Sequence, residues 1–261
     1  MVHRRLALVR RPSPRLADGI VTHVERSPSV DAHLALRQWE EYCAALERRG
    51  WEVLEAPAVD DCPDGVFVED QVVVFGDVAV LCRSGAPARR AEQAGLREPL
   101  EQVGYRCVPI EAPGTLDGGD VLKWGREIWV GIGGRSNDAG IAQLERAVKR
   151  APTGSRVTVH RVPVTRTLHL KSAVTALPLG TVIGHEATVD DQRRWPDFLA
   201  VPEPAGAHVV LLGGLSVLMS AAAPRTAHLF QSLGHDVTLV DISEFEKLEG
   251  CVTCLSVRLR G

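Results

Sequence analysis

Cys254 carries the most reactive side chain in the last part of the sequence. It lies in residues 249–260, where apolar and polar residues alternate as in a strand with one buried face. The alternation predicts that Leu255 and Val257 point into the core and that Cys254 lies on the opposite, polar face. A thiol on an accessible face can lose its proton and act as a nucleophile. The sequence therefore offers Cys254 as a candidate catalytic residue.

Cys251 and Cys254 also form a C-x-x-C pattern. Redox pairs of this kind usually open a helix, where the helix dipole lowers the thiol pKa. Here the pattern lies in a predicted strand, and no second Cys/His pair follows at the spacing of a zinc site. A redox motif and a structural zinc site are therefore the weaker interpretations.

His169 is the histidine whose setting best suits a partner for the thiol. The sequence has nine histidines, and this one stands between Leu168 and Leu170. In an extended strand the two leucines would share one face and His169 would lie on the other. The ring could then act as a general acid or base. A histidine with a purely structural role fits the same pattern, and that alternative stays open.

Acidic residues cluster in two short segments. The first holds Asp64, Glu69 and Asp70, and the second, rich in glycine, holds Asp117 and Asp120. Solvated turn carboxylates are one interpretation. Alternatively, carboxylates at several strand ends meet in a cleft, where they would grip the planar, forked charge of a guanidinium. The glycine-rich segment lacks the P-loop and Rossmann patterns, so it does not predict phosphate binding.

Recurring glycines mark the elements that must position these residues. One set follows predicted helix ends, and a second set lies between two apolar strands, as in hairpin turns. The first set is Gly50, Gly104 and Gly234, and the second is Gly76, Gly125, Gly180 and Gly214. Apolar spacing also predicts a helix capped by Asp31, and further helices over residues 87–103 and 137–149.

Hairpin, helix and strand thus alternate about five times. The sequence therefore predicts an α/β fold of repeated ββαβ modules, with all of residues 1–261 in one domain. One module cannot bury its apolar faces alone, so the modules must pack together, and a ring is the natural closure. A doubly wound sheet is the alternative, but it would show single strands between its helices.

Composition excludes several classes of protein. The chain has 261 residues and a net charge of -3, which gives no electrostatic footprint for nucleic acid. Residues 204–224 lack charged side chains, but His208 and the pair Gly213-Gly214 interrupt them, so no membrane span is predicted. Six cysteines without an export signal indicate free thiols in a reducing, cytoplasmic compartment.

Five segments, in order, resemble the dimethylarginine dimethylaminohydrolases of the guanidine-modifying (pentein) superfamily, and the likeness covers nearly the whole chain. They are residues 64–70, 110–120, 134–137, 168–172 and 250–256. The resemblance implies a five-module ββαβ propeller, the pentein fold. It also implies hydrolysis of asymmetric dimethylarginine and monomethylarginine to citrulline and an amine, through a covalent thiouronium on cysteine. Neither a cofactor nor a metal is implied, and a homodimer is left open.

The resemblance also implies roles for individual residues. Cys254 would be the nucleophile, His169 the general acid and base, and Asp117 the carboxylate that orients the histidine, although some members carry Glu there. The residues implied in substrate binding are Asp70, Glu69 and Asp64 for the guanidinium, Arg89 and Arg135 for the α-carboxylate, and Ile20, or alternatively Val21, as the apolar residue of a lid near residues 18–20. Rival interpretations are an arginine deiminase, an amidinotransferase and a non-catalytic arginine-binding propeller.

Overall fold

The computed structural model describes residues 5–26, 29–151 and 156–260. Their strands are β1 (Arg5–Val9), β2 (Glu52–Glu55), β3 (Val72–Phe75), β4 (Val78–Leu81), β5 (Arg106–Pro109), β6 (Val121–Trp124), β7 (Glu127–Ile132), β8 (Thr158–Pro163), β9 (Val174–Ala176), β10 (Val182–Gly184), β11 (Phe198–Ala200), β12 (Val210–Gly213), β13 (Ser216–Ser220), β14 (Asp236–Val240) and β15 (Val257–Arg260). The α-helices are α1 (Ala32–Arg48), α2 (Arg97–Gln102), α3 (Asp138–Lys149), α4 (Leu170–Ala173), α5 (Pro224–Ser232) and α6 (Ser243–Glu246).

The strands form five three-stranded sheets of one design. In each sheet the middle strand pairs antiparallel with one neighbour and parallel with the other, as in β3-β4-β5. Four sheets use consecutive strands, whereas the remaining sheet pairs β1 with β15 antiparallel and with β2 parallel. The predicted ββαβ repeat is confirmed, and one module joins strands from opposite ends of the chain.

The five modules surround a common cavity. The edge strand that pairs antiparallel with the middle strand of each sheet lines this cavity; these strands are β3, β6, β9, β12 and β15. Such an arrangement requires the modules to stand around one axis, so the ring is confirmed and the doubly wound sheet is excluded. No helix in the described ranges is long and apolar enough to cross a membrane. The assignment of the whole chain to one domain stays a prediction.

The predicted helix ends and the predicted helix cap agree with the backbone conformation. Gly50, Gly104 and Gly234 follow helices at φ 78°, 95° and 86°, the left-handed region that glycine tolerates. Asp31 caps α1, where its carboxylate accepts hydrogen bonds from the backbone N–H groups of the second and third residues that follow. Asn137 caps α3 with one hydrogen bond, which its side-chain oxygen accepts from the backbone N–H of Gly140 at 2.8 Å.

Two predicted elements differ from the structure. The helix over residues 87–103 is broken into a 3-10 helix, Pro87–Gln93, and α2, because the intervening Gly95 has φ 75° and cannot continue a helix. In the fourth module, the described connection from β10 to β11 contains a 3-10 turn, Gln192–Arg194, in place of an α-helix. The ββαβ pattern is therefore least regular in that module.

Candidate active site

A narrow cavity gathers seven of the nine side chains to which the resemblance gives roles. These are Cys254, His169, Asp64, Asp70, Arg89, Arg135 and Ile20. The cavity that the five modules surround, called here the axial cavity, is larger, but neither Cys254 nor His169 lines it. We therefore place the chemistry in the smaller cavity. Asp117 lies immediately behind it, and Glu69 faces the axial cavity instead.

Cys254 is held in a turn and not, as the alternation predicted, in a strand. β15 begins only at Val257, and the backbone N–H of Cys254 donates to the carbonyl of Cys251 at 3.0 Å. The prediction of a strand with Cys254 opposite a buried face was therefore wrong. Cys254 and Leu255 are both buried, and the cysteine keeps 8% of its surface exposed, on the cavity.

His169 is buried and lies between two carboxylates. The predicted strand around it was wrong, because residues 166–169 form bends and His169 directly precedes α4. Its Nε2 lies 3.1 Å from Oδ2 of Asp117, and its Nδ1 lies 3.6 Å from Oδ1 of Asp70. Burial lowers the pKa of the imidazole, but the charges of Asp70, Asp117 and Asp120 outweigh it and raise the pKa to about 9. The ring therefore carries a proton at neutral pH.

Asp117 is fixed from several sides by residues that the sequence did not single out. Its Oδ1 accepts the backbone N–H of Gly85 at 3.0 Å, and its own N–H donates to Ser136 Oγ at 3.1 Å. The same hydroxyl donates to Asp120 at 2.6 Å. Arg135 approaches Asp117 Oδ2 at 3.3 Å from the cavity side. This network fixes the carboxylate that faces the imidazole.

Asp70 is kept ionised by buried cations. Burial raises its pKa, but the charges of His169 and Arg89 overcome this and hold it at about 2. The Arg89 guanidinium donates to Asp70 at 2.7 Å and, on its other edge, to both oxygens of Glu92 at 2.8 Å. Glu92 has no distinguishing motif in the sequence, since it lies three residues after Arg89 in an ordinary helical pattern.

The rim of the cavity is closed by residues 18–24. Ile20 lines the cavity, and its backbone N–H donates to the Asp64 carboxylate at 3.1 and 3.3 Å. Glu249 fixes the same loop, because its carboxylate accepts the N–H of Thr22 at 3.1 Å and that of Val24 at 2.9 Å. Glu249 has φ 62°, a rare conformation for a residue other than glycine, and no sequence signal marks it.

Glu69 lies next to Asp70 in the chain but points to the opposite side. It is buried with Lys171, whose Nζ lies 2.6 Å away, and it accepts the hydroxyl proton of Thr253 at 2.7 Å. Its backbone N–H also donates to the Cys254 carbonyl at 3.2 Å. The structure therefore places Glu69 behind the turn that carries Cys254, and it does not bring this residue to the cavity with Asp70.

Known proteins are similar to this chain in sequence and in fold. No model in a collection of protein families matches the chain. However, the dimethylarginine dimethylaminohydrolase of Streptomyces coelicolor is 61% identical over 97% of this chain and 96% of its own. The chain belongs to the dimethylarginine dimethylaminohydrolase family. The Pseudomonas aeruginosa member is 32% identical over 96% of this chain, and the solved structure of its cysteine-to-serine mutant, complexed with citrulline, superposes over 99% of this chain with a TM-score of 0.87.

Asp70, Asp117 and His169 are the described residues of this family member that could hold a metal ion, since their ligand atoms lie within 4.8 Å of one another. A metal needs a neutral imidazole nitrogen with a free lone pair. Asp117 lies beside Nε2 of His169 and Asp70 beside Nδ1, so the two carboxylates do not face the same ring nitrogen. The three side chains therefore suit a proton-donating network better than a metal site.

His169 of this dimethylarginine dimethylaminohydrolase is expected to keep its proton until about pH 9. Since its folded-state pKa is raised, the charged ring stabilises the fold fully below about pH 6.5, and this contribution is lost as the pH rises through about 9. NMR of the imidazole resonances and denaturant titrations across this range measure both effects. Asp117→Asn should lower the pKa, and a folded-state pKa near 6.5 in the wild type would contradict the argument.

Gly119→Ala is expected to lower kcat/KM at least about tenfold, because small displacements at reacting groups are costly. A Cβ at this position would lie 2.6 Å from Asp70 Oδ1 and 2.6 Å from His169 Nδ1, so both groups must move. Gly104→Ala is the control, since no atom lies near its Cβ although its φ is 95°. The control should cost about 1 kcal/mol of stability and keep its activity. Wild-type kinetics for Gly119→Ala would refute the assigned geometry.

Proposed function

We propose that this protein hydrolyses Nω-methylated arginine to citrulline and methylamine or dimethylamine, through a thiouronium on Cys254. One observation carries the proposal: a single cavity holds a thiol, a protonated imidazole and an ionised buried carboxylate. A cationic amidine needs all three, because its carbon must be attacked, its leaving amine must be protonated and its charge must be balanced.

Asp70 and Asp64 would bind the guanidinium, and Arg135 and Arg89 would face the α-carboxylate. Ile20 would cover the bound substrate from the rim. The substrate's charge favours a thiolate at Cys254 in this poorly solvated cavity. The sulfur then bonds to the guanidinium carbon, and His169 gives its proton to the departing amine as the C–N bond breaks. Neutral His169 next takes a proton from water, the hydroxide adds to the same carbon, and the C–S bond breaks to leave citrulline.

The test is a comparison of substrates with purified protein. Asymmetric dimethylarginine and monomethylarginine should release citrulline together with the corresponding amine. Faster turnover of unmethylated arginine would identify a deiminase, and transfer of the amidino group to an added amine would identify an amidinotransferase. Binding without citrulline release would identify a non-catalytic protein. We also propose a cytoplasmic location, which is supported by six cysteines that are all free thiols.

A further inference from the structure

The C-x-x-C pattern places two sulfurs side by side, although the hydrolytic mechanism requires only one of them. The Sγ atoms of Cys251 and Cys254 lie 3.2 Å apart, close enough for one thiol to donate a hydrogen bond to the other sulfur. The remaining four cysteines make no contact of this kind with another sulfur within the described residues. Cys251 does not line the small cavity, whereas Cys254 does.

The backbone turn brings the two cysteines within reach of a disulfide. The hydrogen bond from the Cys254 N–H to the Cys251 carbonyl, at 3.0 Å, closes a four-residue turn, which brings its end Cα atoms to within about 7 Å. Disulfides span Cα separations of about 4.4–6.8 Å. The sulfurs need to approach by only about 1 Å to reach bonding distance, and rotation of the side chains can supply that.

The pair also needs to lose only one proton to place a thiolate beside a thiol. The hydrogen bond between the sulfurs lowers the pKa of Cys251 and raises that of Cys254. Burial and the carboxylates Glu69 and Asp70 raise the pKa of Cys254 further. Because a hydrogen bond joins the two sulfurs, loss of one proton from either thiol leaves a thiolate in contact with the other sulfur.

We propose that Cys251 is a resolving thiol, so that oxidation of the nucleophile by a hydroperoxide ends in a reversible Cys251–Cys254 disulfide. The thiolate of Cys254 attacks the peroxide oxygen, which forms a sulfenic acid and, with hydrogen peroxide, releases hydroxide. The Cys251 sulfur then attacks the sulfenic sulfur, the S–O bond breaks, and water leaves with the protons of the thiol and the sulfenic oxygen. The peroxide is reduced by two electrons and the two thiols are oxidised. A dithiol reverses the reaction, whereas a sulfinic acid at Cys254 would be irreversible.

Loss of activity in the oxidised form rests on the proposed function, but formation of the disulfide does not. The experiment treats wild type, Cys251→Ser and Cys107→Ser with hydrogen peroxide, then with dithiothreitol. Citrulline release is compared with the untreated activity of each variant, and peptide mass spectrometry reads the state of every cysteine. Cys107→Ser is the matched control because that half-buried thiol has no sulfur neighbour.

Wild type and Cys107→Ser should lose activity, show a peptide linking residues 251 and 254, and recover nearly fully with dithiothreitol. Cys251→Ser should recover at least about tenfold less activity and carry sulfinic or sulfonic acid at Cys254. A treated wild type with over-oxidised Cys254 and a free Cys251 would overturn the proposal, as would equal recovery of Cys251→Ser. Formation of the disulfide in a protein that releases no citrulline would instead contradict the proposed hydrolysis alone.

Discussion

Cys254→Ser is expected to reduce kcat for asymmetric dimethylarginine at least about 10³-fold, which corresponds to about 4 kcal/mol on the barrier. The turn of residues 251–254 delivers this side chain to the cavity, and serine preserves its shape. A hydroxyl holds its proton far more tightly than a thiol, so the bound cation cannot generate a comparable nucleophile. The loss should therefore appear in kcat, with substrate affinity largely retained.

The measurement combines steady-state citrulline release with calorimetric binding of asymmetric dimethylarginine. Mass spectrometry of acid-quenched wild type should also detect a covalent adduct on the peptide of Cys254. Cys107→Ser is the control, because this residue lies in β5, away from the cavity, and should keep wild-type kinetics. Undiminished turnover by a folded Cys254→Ser protein would rule out the thiouronium mechanism.

The repeat was predictable from the sequence because glycines recur at its hairpin turns and helix ends. Hairpin glycines such as Gly76 and Gly125 have φ 56° and 58°, and glycine is the residue that best tolerates such angles. The helix stops at Gly50 and Gly104 follow the same rule. Local steric preference fixes these positions, so a single sequence is enough to find them.

The module that joins β1 to β15, and the opposite orientations of Glu69 and Asp70, depend on contacts between distant parts of the chain. The sequence alone could not reveal those contacts. Pairing of β1 with β15 joins residues more than 200 positions apart. Glu69 and Asp70 lie in one 3-10 helix, Val68–Gln71, so their side chains diverge to different cavities. Sequence proximity suggested a shared role, whereas the helix separates an acid that lines the small cavity from one that lies behind the Cys254 turn.

The alternation around Cys254 misled for a related reason. Polar Thr253 and Ser256 are both buried, and Thr253 donates a hydrogen bond to buried Glu69. A buried hydrogen-bond network therefore produced the polar and apolar pattern that an exposed strand face would also produce. The residues of that network became recognisable as partners only once the ring had brought residues 69 and 253 together.

His169→Gly is expected to reduce turnover of asymmetric dimethylarginine by about 10²–10⁴-fold, the usual contribution of a positioned general acid and base. The imidazole is the protonated group between Asp117 and Asp70, and glycine removes it without adding atoms to the cavity. Dimethylamine cannot leave as an anion, so collapse of the adduct stalls without a proton donor. Methylarginine turnover measured by citrulline release gives the size of the loss.

A substrate with a different leaving group separates acid catalysis from binding. S-methyl-L-thiocitrulline carries a methylthio group where dimethylarginine carries the dimethylamino group, so its leaving group is a thiolate. Its thiolate leaves without protonation, so His169→Gly should still form the covalent thiouronium on Cys254 with this compound while failing to form it with dimethylarginine. If neither compound forms an adduct with His169→Gly, His169 is required for the attack itself. The Asp117–His169 pair would then activate the thiol and would not be assigned to protonating the amine.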